Sequence, residues 1–173
     1  MKEDYFTHFG IPRAYHIDLN NLRKKFYELS RNLHPDMNVS SSSKSFDDEL
    51  ITYHNLAYKT LLDPIARLKY LLEIEGAKEL IERPLDPEFL MDMMDLHEEI
   101  DQAVQSDNEE KKSTLLKKLD QFEEANSQLV QASILLYDEG TRNESIIKKM
   151  VSYFVQLRYF RRLRKALMNE EEI

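Results

Sequence analysis

The tripeptide His34-Pro35-Asp36 is the segment of this 173-residue chain whose residue types and order point most directly to chemistry. A proline fixes its own φ angle and moves the preceding residue out of the helical region, so a helix ends here. We expect the tripeptide at the tip of a helical hairpin, with the Asp36 carboxylate directed outward. A carboxylate in that position can accept an ion pair from an arginine of a partner.

The helix that leads into the tripeptide has a basic outer face. It is predicted over residues 19–33, beginning after Asp18, which suits an N-cap, and stopping before Pro35. This helix has one acidic residue, Glu28, and its cations are Arg23, Lys24, Lys25 and Arg31. A rigid tip beside a cationic helix face indicates a docking surface for an acidic partner.

A second candidate surface lies on the helix predicted to begin after Asp86. Its core stripe, spaced at three and four residues, consists of Phe89, Met93, Leu96 and Ile100. Away from that stripe lie Leu90, Met91, Met94, Asp95 and Glu98. Leucine and methionine rimmed by carboxylates on an outer face indicate a partner site. The alternative is a wide core stripe, since the central helix of a bundle buries more than one face, and the pattern alone favours neither.

The rare glycines and prolines mark off the elements that position these residues, and they predict an all-α fold. Besides the helix over 19–33, we expect helices at about 4–9, from a Ser45 cap to about 61, 64–76, 86–105 and 109–139. A capping box at 141–144 opens a last helix that ends at about 168. Residues 1–76 should form an antiparallel helical hairpin with accessory helices. Residues 77–85 read as a polar linker, and 86–173 as an antiparallel three-helix bundle.

Composition excludes several classes of function. The chain has no cysteine, which rules out disulfides, thiolate nucleophiles, iron–sulfur thiolate ligands and cysteine-based zinc sites. The histidines show no paired metal-ligand spacing and the carboxylates follow no site motif, so we expect no metal, no cofactor and no enzymatic activity. A net charge of −8 disfavours a general nucleic-acid binder. Because we see neither a targeting segment nor a membrane-spanning apolar run, we expect a cytoplasmic protein.

The first region resembles the J-domain co-chaperones, in which a basic helix and His-Pro-Asp precede a helix such as the one carrying Ala57, Tyr58 and Leu61. Its opening, residues 4–12, and the second region, through 89–91 and 95–100, look like the HscB branch that serves iron–sulfur assembly. The resemblance covers almost the whole chain. Two residues depart from the usual pattern, because Met37 stands where many J-domains have lysine and His54 where an aliphatic residue is usual.

This resemblance implies that the basic helix and the tripeptide bind the ATPase domain of a DnaK/HscA-type chaperone, with His34 and Pro35 shaping the loop. It also implies that an IscU-type iron–sulfur scaffold binds the positions matching Leu90, Met91, Met94, Asp95, Glu98 and Tyr159. Tyr159 lies off the core stripe of the last helix, so we expect it on the surface beside Leu90 and Met94. Two alternatives stay open: a J-domain co-chaperone for a different client, and a helical interaction or nucleic-acid-binding protein in which the tripeptide is only a turn.

The last predicted helix carries a run of cations that could suggest nucleic acid, namely Arg158, Arg161, Arg162, Arg164 and Lys165. Aromatic residues are not interleaved with them as single-strand binders require. We therefore expect these cations to pair with neighbouring acidic helices and with the closing acids at 170–172. Partners of the nucleic-acid and membrane classes are not expected.

Overall fold

The computed structural model describes residues 3–33 and 44–168 of the chain, and within those ranges the regular structure is helical. The predicted all-α fold is confirmed. The contacts between Cα atoms divide the chain into two compact units, and the boundary along the chain lies between Ile74 and Glu75. The predicted tip, His34-Pro35-Asp36, and the acids at 170–172 lie outside the described residues.

In its described residues, 3–33 and 44–74, the first unit contains four helices: α1 (Tyr5–Phe9), α2 (Leu19–Leu33), α3 (Lys44–Leu62) and α4 (Pro64–Ile74). Helix α3 packs against the other three. The fully buried core of this unit includes Phe6, Phe9, Leu22, Ala57, Leu61, Leu68, Leu71 and Leu72. The predicted N-cap at Ser45 is wrong, because the helix already includes Lys44 and Ser45 lies inside its first turn.

Helix α1 is short and is fixed at both ends by local hydrogen bonds. The Asp4 side chain accepts from the backbone N–H groups of Phe6 and Thr7, both at 3.0 Å. At the other end Gly10 adopts a left-handed conformation with φ of 58°, which residues with a Cβ rarely adopt. The predicted helix at about 4–9 agrees with the observed α1 to within one residue at each end.

The second unit, as far as residue 168, contains five helices: α5 (Lys78–Ile81), α6 (Pro87–Asp92), α7 (Met94–Gln105), α8 (Glu109–Asp138) and α9 (Glu144–Leu167). Helices α7, α8 and α9 pack against one another as the predicted three-helix bundle. The predicted capping box is two residues out of place, since the cap of α9 is Asn143, whose side chain accepts from the Ile146 N–H at 3.0 Å.

Two features of this unit differ from the predictions. The helix expected over 86–105 breaks at Met93, where φ is −92° and ψ is 0°, and so becomes α6 and α7. The side chain of Met93 is nevertheless buried, so the break leaves the core stripe intact. The segment 77–85, expected to be a polar linker, contains α5. Ala77 and Ile81 stand four residues apart, are both buried, and hold α5 against α9.

Candidate functional site

The basic face predicted on α2 is present. Arg23, Lys24 and Arg31 are exposed, and Lys25 is half-buried. The Lys24 Nζ lies 3.9 Å from Glu28 Oε1, a surface ion pair that neutralises little of the face. Tyr27 is 58% exposed and stands four residues from both Arg23 and Arg31, so its ring lies on the same face. Tyr27 is not among the predicted site residues, although this spacing could have identified it.

Below that face, a buried histidine ties α2 to α1 and α3. His54 is 2% exposed, and its ring stacks on Phe26 with 4.6 Å between centroids. His54 Nδ1 lies 2.9 Å from His8 Nε2, and His54 Nε2 lies 3.0 Å from Ser30 Oγ and 3.2 Å from the Phe26 carbonyl oxygen. Because a carbonyl only accepts, His54 Nε2 carries the proton and His8 donates to His54 Nδ1.

Burial shifts the titration of this histidine pair. Desolvation lowers the pKa of both His8 and His54. The proximity of His8 lowers the pKa of His54 further, and the hydrogen bond to the Phe26 carbonyl opposes these effects. A second proton on His54 would also remove the acceptor that His8 uses. The neutral form of His54 is therefore the one that holds these three helices together.

The surface predicted on the second unit is exposed. The exposed fractions are 40% for Leu90, 74% for Met91 and 66% for Met94, whereas Leu96 on the core side is 2% exposed. The alternative of a wide core stripe is thus wrong for these residues. Asp95 and Glu98 are exposed as well. We call this surface the Leu/Met patch, and it consists of Leu90, Met91, Met94, Asp95 and Glu98.

Tyr159 does not lie on the surface, and that expectation was wrong. Its side chain is 6% exposed and belongs to the bundle core, with its ring edge-to-face against Phe89 at a centroid distance of 5.6 Å. The physical reason is that α9 packs against α5, α7 and α8, so a single stripe underestimates its buried area. Tyr159 therefore supports α6 from below through Phe89, the neighbour of Leu90. Its burial also raises its pKa.

The cations of α9 have different partners. Arg164 Nη2 lies 2.7 Å from Asp120 Oδ1 and 3.0 Å from Glu123 Oε1, which confirms the expected pairing with an acidic neighbouring helix. The guanidinium groups of Arg158 and Arg162 instead stand over aromatic rings, at 5.9 Å from the Phe154 centroid and 5.4 Å from that of Tyr159. These two arginines follow cation–π geometry.

The described part of the chain holds no cluster of three or more histidine or carboxylate side chains that could bind a metal ion. Nor does any helix in that part have the length and apolar character needed to cross a membrane.

Comparison with known proteins bears on both units. Residues 85–168 match the family described as the HSCB C-terminal oligomerisation domain. The chaperone HscB from Vibrio cholerae is 26% identical, with a TM-score of 0.74 and 96% of each chain covered. The crystal structure of the human co-chaperone HscB is 24% identical and shares the fold, with a TM-score of 0.78 over 98% of this chain and 82% of that one. Residues 85–168 match that family, and the two structural likenesses over nearly the whole chain support an HscB-type co-chaperone, with an N-terminal J-domain and a C-terminal helical bundle.

Proposed function

We propose that this co-chaperone of iron–sulfur cluster biogenesis stimulates the ATPase of a DnaK/HscA-type chaperone and delivers an IscU-type scaffold protein to it. The observation that carries the proposal is the exposed Leu/Met patch on one unit of a chain whose other unit has a basic helix leading into His-Pro-Asp. Two surfaces of different chemistry on two compact units suit two different partner proteins.

The chaperone would dock on the J-domain. Arg23, Lys24 and Arg31 supply positive charge in a chain of net charge −8, so the attraction is local to this helix face. Asp36 would accept an ion pair from an arginine of the ATPase, while His34 and Pro35 shape the loop. ATP is hydrolysed in the partner, and this chain itself carries out no chemical step.

The scaffold would dock on the Leu/Met patch. Methionine suits such a surface because its unbranched, polarizable side chain adapts to a partner's shape. Asp95 and Glu98 form a polar rim that would select for a partner carrying cations around an apolar centre. In this proposal Tyr159 contributes by supporting Phe89 and, through it, the backbone that carries Leu90.

The test is ATP turnover by the chaperone alone, with this protein, with the scaffold, and with both. We expect stimulation by this protein and a further, more than additive increase when the scaffold is also present. Asp36→Asn should keep the fold and scaffold binding but abolish stimulation, whereas Asp48→Asn, on the exposed side of α3, should leave stimulation unchanged. Normal stimulation by Asp36→Asn would disprove the chaperone-docking role. Stimulation without scaffold binding would instead indicate a J-domain co-chaperone for a different client.

A further inference from the structure

A long groove runs along α9 in the second unit. It consists of two adjoining hollows, of about 680 Å³ and about 430 Å³, which share Leu85 and Val155 as lining residues. We call it the α9 groove. Its lining on α9 extends from Lys148 to Lys165, which at 1.5 Å per residue is about 25 Å of helix. That length matches an occupant of four to five helical turns.

The groove is lined mainly by apolar residues in its larger hollow and mainly by basic residues in its smaller hollow. The apolar lining residues are Leu80, Leu85, Phe89, Leu90, Val151 and Val155. The cationic lining residues are Arg83, Lys148, Arg158, Arg161, Arg162 and Lys165. The one carboxylate among the lining residues belongs to Asp86, which already caps α6 by accepting from the Glu88 N–H at 2.8 Å. The groove thus combines apolar surface with an excess of positive charge.

Three cations of the groove, Arg158, Arg162 and Lys165, are not neutralised by the described part of the chain. Within residues 3–33 and 44–168, no carboxylate lies within ion-pair distance of these three, in contrast to Arg164. The cation–π contacts of Arg158 and Arg162 engage the faces of their guanidinium groups. The N–H groups lie at the edges of those planes, in the directions that suit carboxylates.

We propose that the α9 groove binds an amphipathic helix of the client protein whose apolar stripe is flanked by aspartate and glutamate. The apolar stripe would contact the Leu and Val side chains of the lining, and the acids would meet its arginines and lysines, which is the helix-in-groove mode of recognition. Nucleic acid is the less suitable occupant because Phe89 and Tyr159 are too buried to serve as stacking platforms.

This inference rests on the proposed function and deepens it. Leu90 belongs to both the Leu/Met patch and the lining of the α9 groove, so the two surfaces are continuous. The client would then contact an acid-rimmed patch on α6 and α7 and a basic groove on α9. A second copy of this chain is the competing occupant, since its segment 86–110 contains ten acidic residues and no lysine or arginine.

The experiment measures binding of a labelled 18-residue helical peptide, with leucine on one stripe and glutamate elsewhere, to the full chain by fluorescence anisotropy. We expect saturable binding that weakens with added salt, and no binding of the same peptide with lysine in place of glutamate. The double variant Arg158→Glu/Arg162→Glu should reduce affinity about tenfold or more. The control Lys117→Glu/Lys149→Glu changes the net charge equally at exposed positions outside the groove lining and should bind as wild type.

Equal affinity of the groove variant and the control, with circular dichroism showing both folded, would overturn the inference. The inference would also be overturned if wild type bound no peptide and sedimentation showed wild type to be a dimer and the groove variant to be a monomer. The occupant of the groove would then be a second copy of the chain. ATPase stimulation measured without the scaffold separates this test from that of the proposed function. A wild-type chain that stimulates the ATPase but does not bind the peptide counts against the groove alone. A wild-type chain that binds the peptide but does not stimulate the ATPase counts against the chaperone-docking role alone.

Discussion

The double substitution Met91→Ala/Met94→Ala tests the Leu/Met patch most sharply. Full burial of a methionine side chain is worth about 1.5–3 kcal/mol relative to exposure. The unbound chain leaves 74% of Met91 and 66% of Met94 exposed, so covering each by a partner should contribute about 1–2 kcal/mol. Together the two substitutions should weaken scaffold binding by about 2–4 kcal/mol, or roughly thirtyfold to nearly a thousandfold in Kd.

Calorimetric titration of an IscU-type scaffold into wild type and variant measures this change directly. Met168→Ala is the matched control, since Met168 is 52% exposed but lies outside the patch, and its Kd should equal that of wild type. Urea unfolding should show that the double variant loses less than about 0.5 kcal/mol, because exposed side chains contribute little to stability. Leu96→Ala, at a residue 2% exposed on the other side of α7, should lose about 2–5 kcal/mol.

Two results would refute this reasoning. A Kd within twofold of wild type, with native helicity, would show that the scaffold does not cover these side chains. A loss of stability comparable to that of Leu96→Ala would show that Met91 and Met94 are part of the core after all, so that any loss of binding reflects unfolding.

Two further predictions concern the fold that carries the surfaces. Since the pKa of His54 is lowered in the folded state, the unfolded state binds more protons below about pH 6.5, and stability should fall from pH 7 towards pH 5. Thermal unfolding should show a smaller fall for His54→Leu than for wild type. An equal fall in both proteins would contradict the role assigned to His54. Asp86→Ala removes the N-cap of α6 and should cost about 0.5–2 kcal/mol in urea unfolding, whereas Asp92→Ala, at an exposed position ending the same helix, should cost less than about 0.5 kcal/mol.

The bounds of several helices could be predicted because these helices begin or end at a strong local signal. Gly10 adopts the left-handed conformation that ends α1, and Asp86 with Pro87 starts α6. The break at Met93 could not be predicted, because methionine favours helices and its side chain continues the core stripe. Nothing in the local sequence marks that position, and the break is a property of how α6 and α7 fit the bundle.

Periodicity alone did not decide which side chains away from a core stripe are exposed. Met91 and Met94 depart from a well-defined stripe, and a helix with a single packed face leaves such residues in solvent. Tyr159 departs from its stripe in the same way but is buried, because α9 has three packing partners. Periodicity gives the direction of a side chain around its helix. Which directions are covered depends on tertiary neighbours that the sequence of the helix does not reveal.

The charges of the second unit are arranged so that its two candidate surfaces keep opposite signs. Segment 86–110 carries ten acids and no lysine or arginine, and 142–165 carries eight cations and one acid. Helix α8 supplies ion-pair partners to both: Lys118 reaches Glu99 of α7 at 3.2 Å, and Asp120 and Glu123 hold Arg164 of α9. Within residues 3–33 and 44–168, Asp95 and Glu98 of the Leu/Met patch and Arg158, Arg162 and Lys165 of the α9 groove have no ion-pair partner, whereas Lys148 of the groove pairs with Glu144 at 2.6 Å. A client whose acidic segment faced the Leu/Met patch would be repelled by the acids of the patch. The separation of negative and positive charge between the two surfaces would therefore fix the client's orientation as well as its affinity.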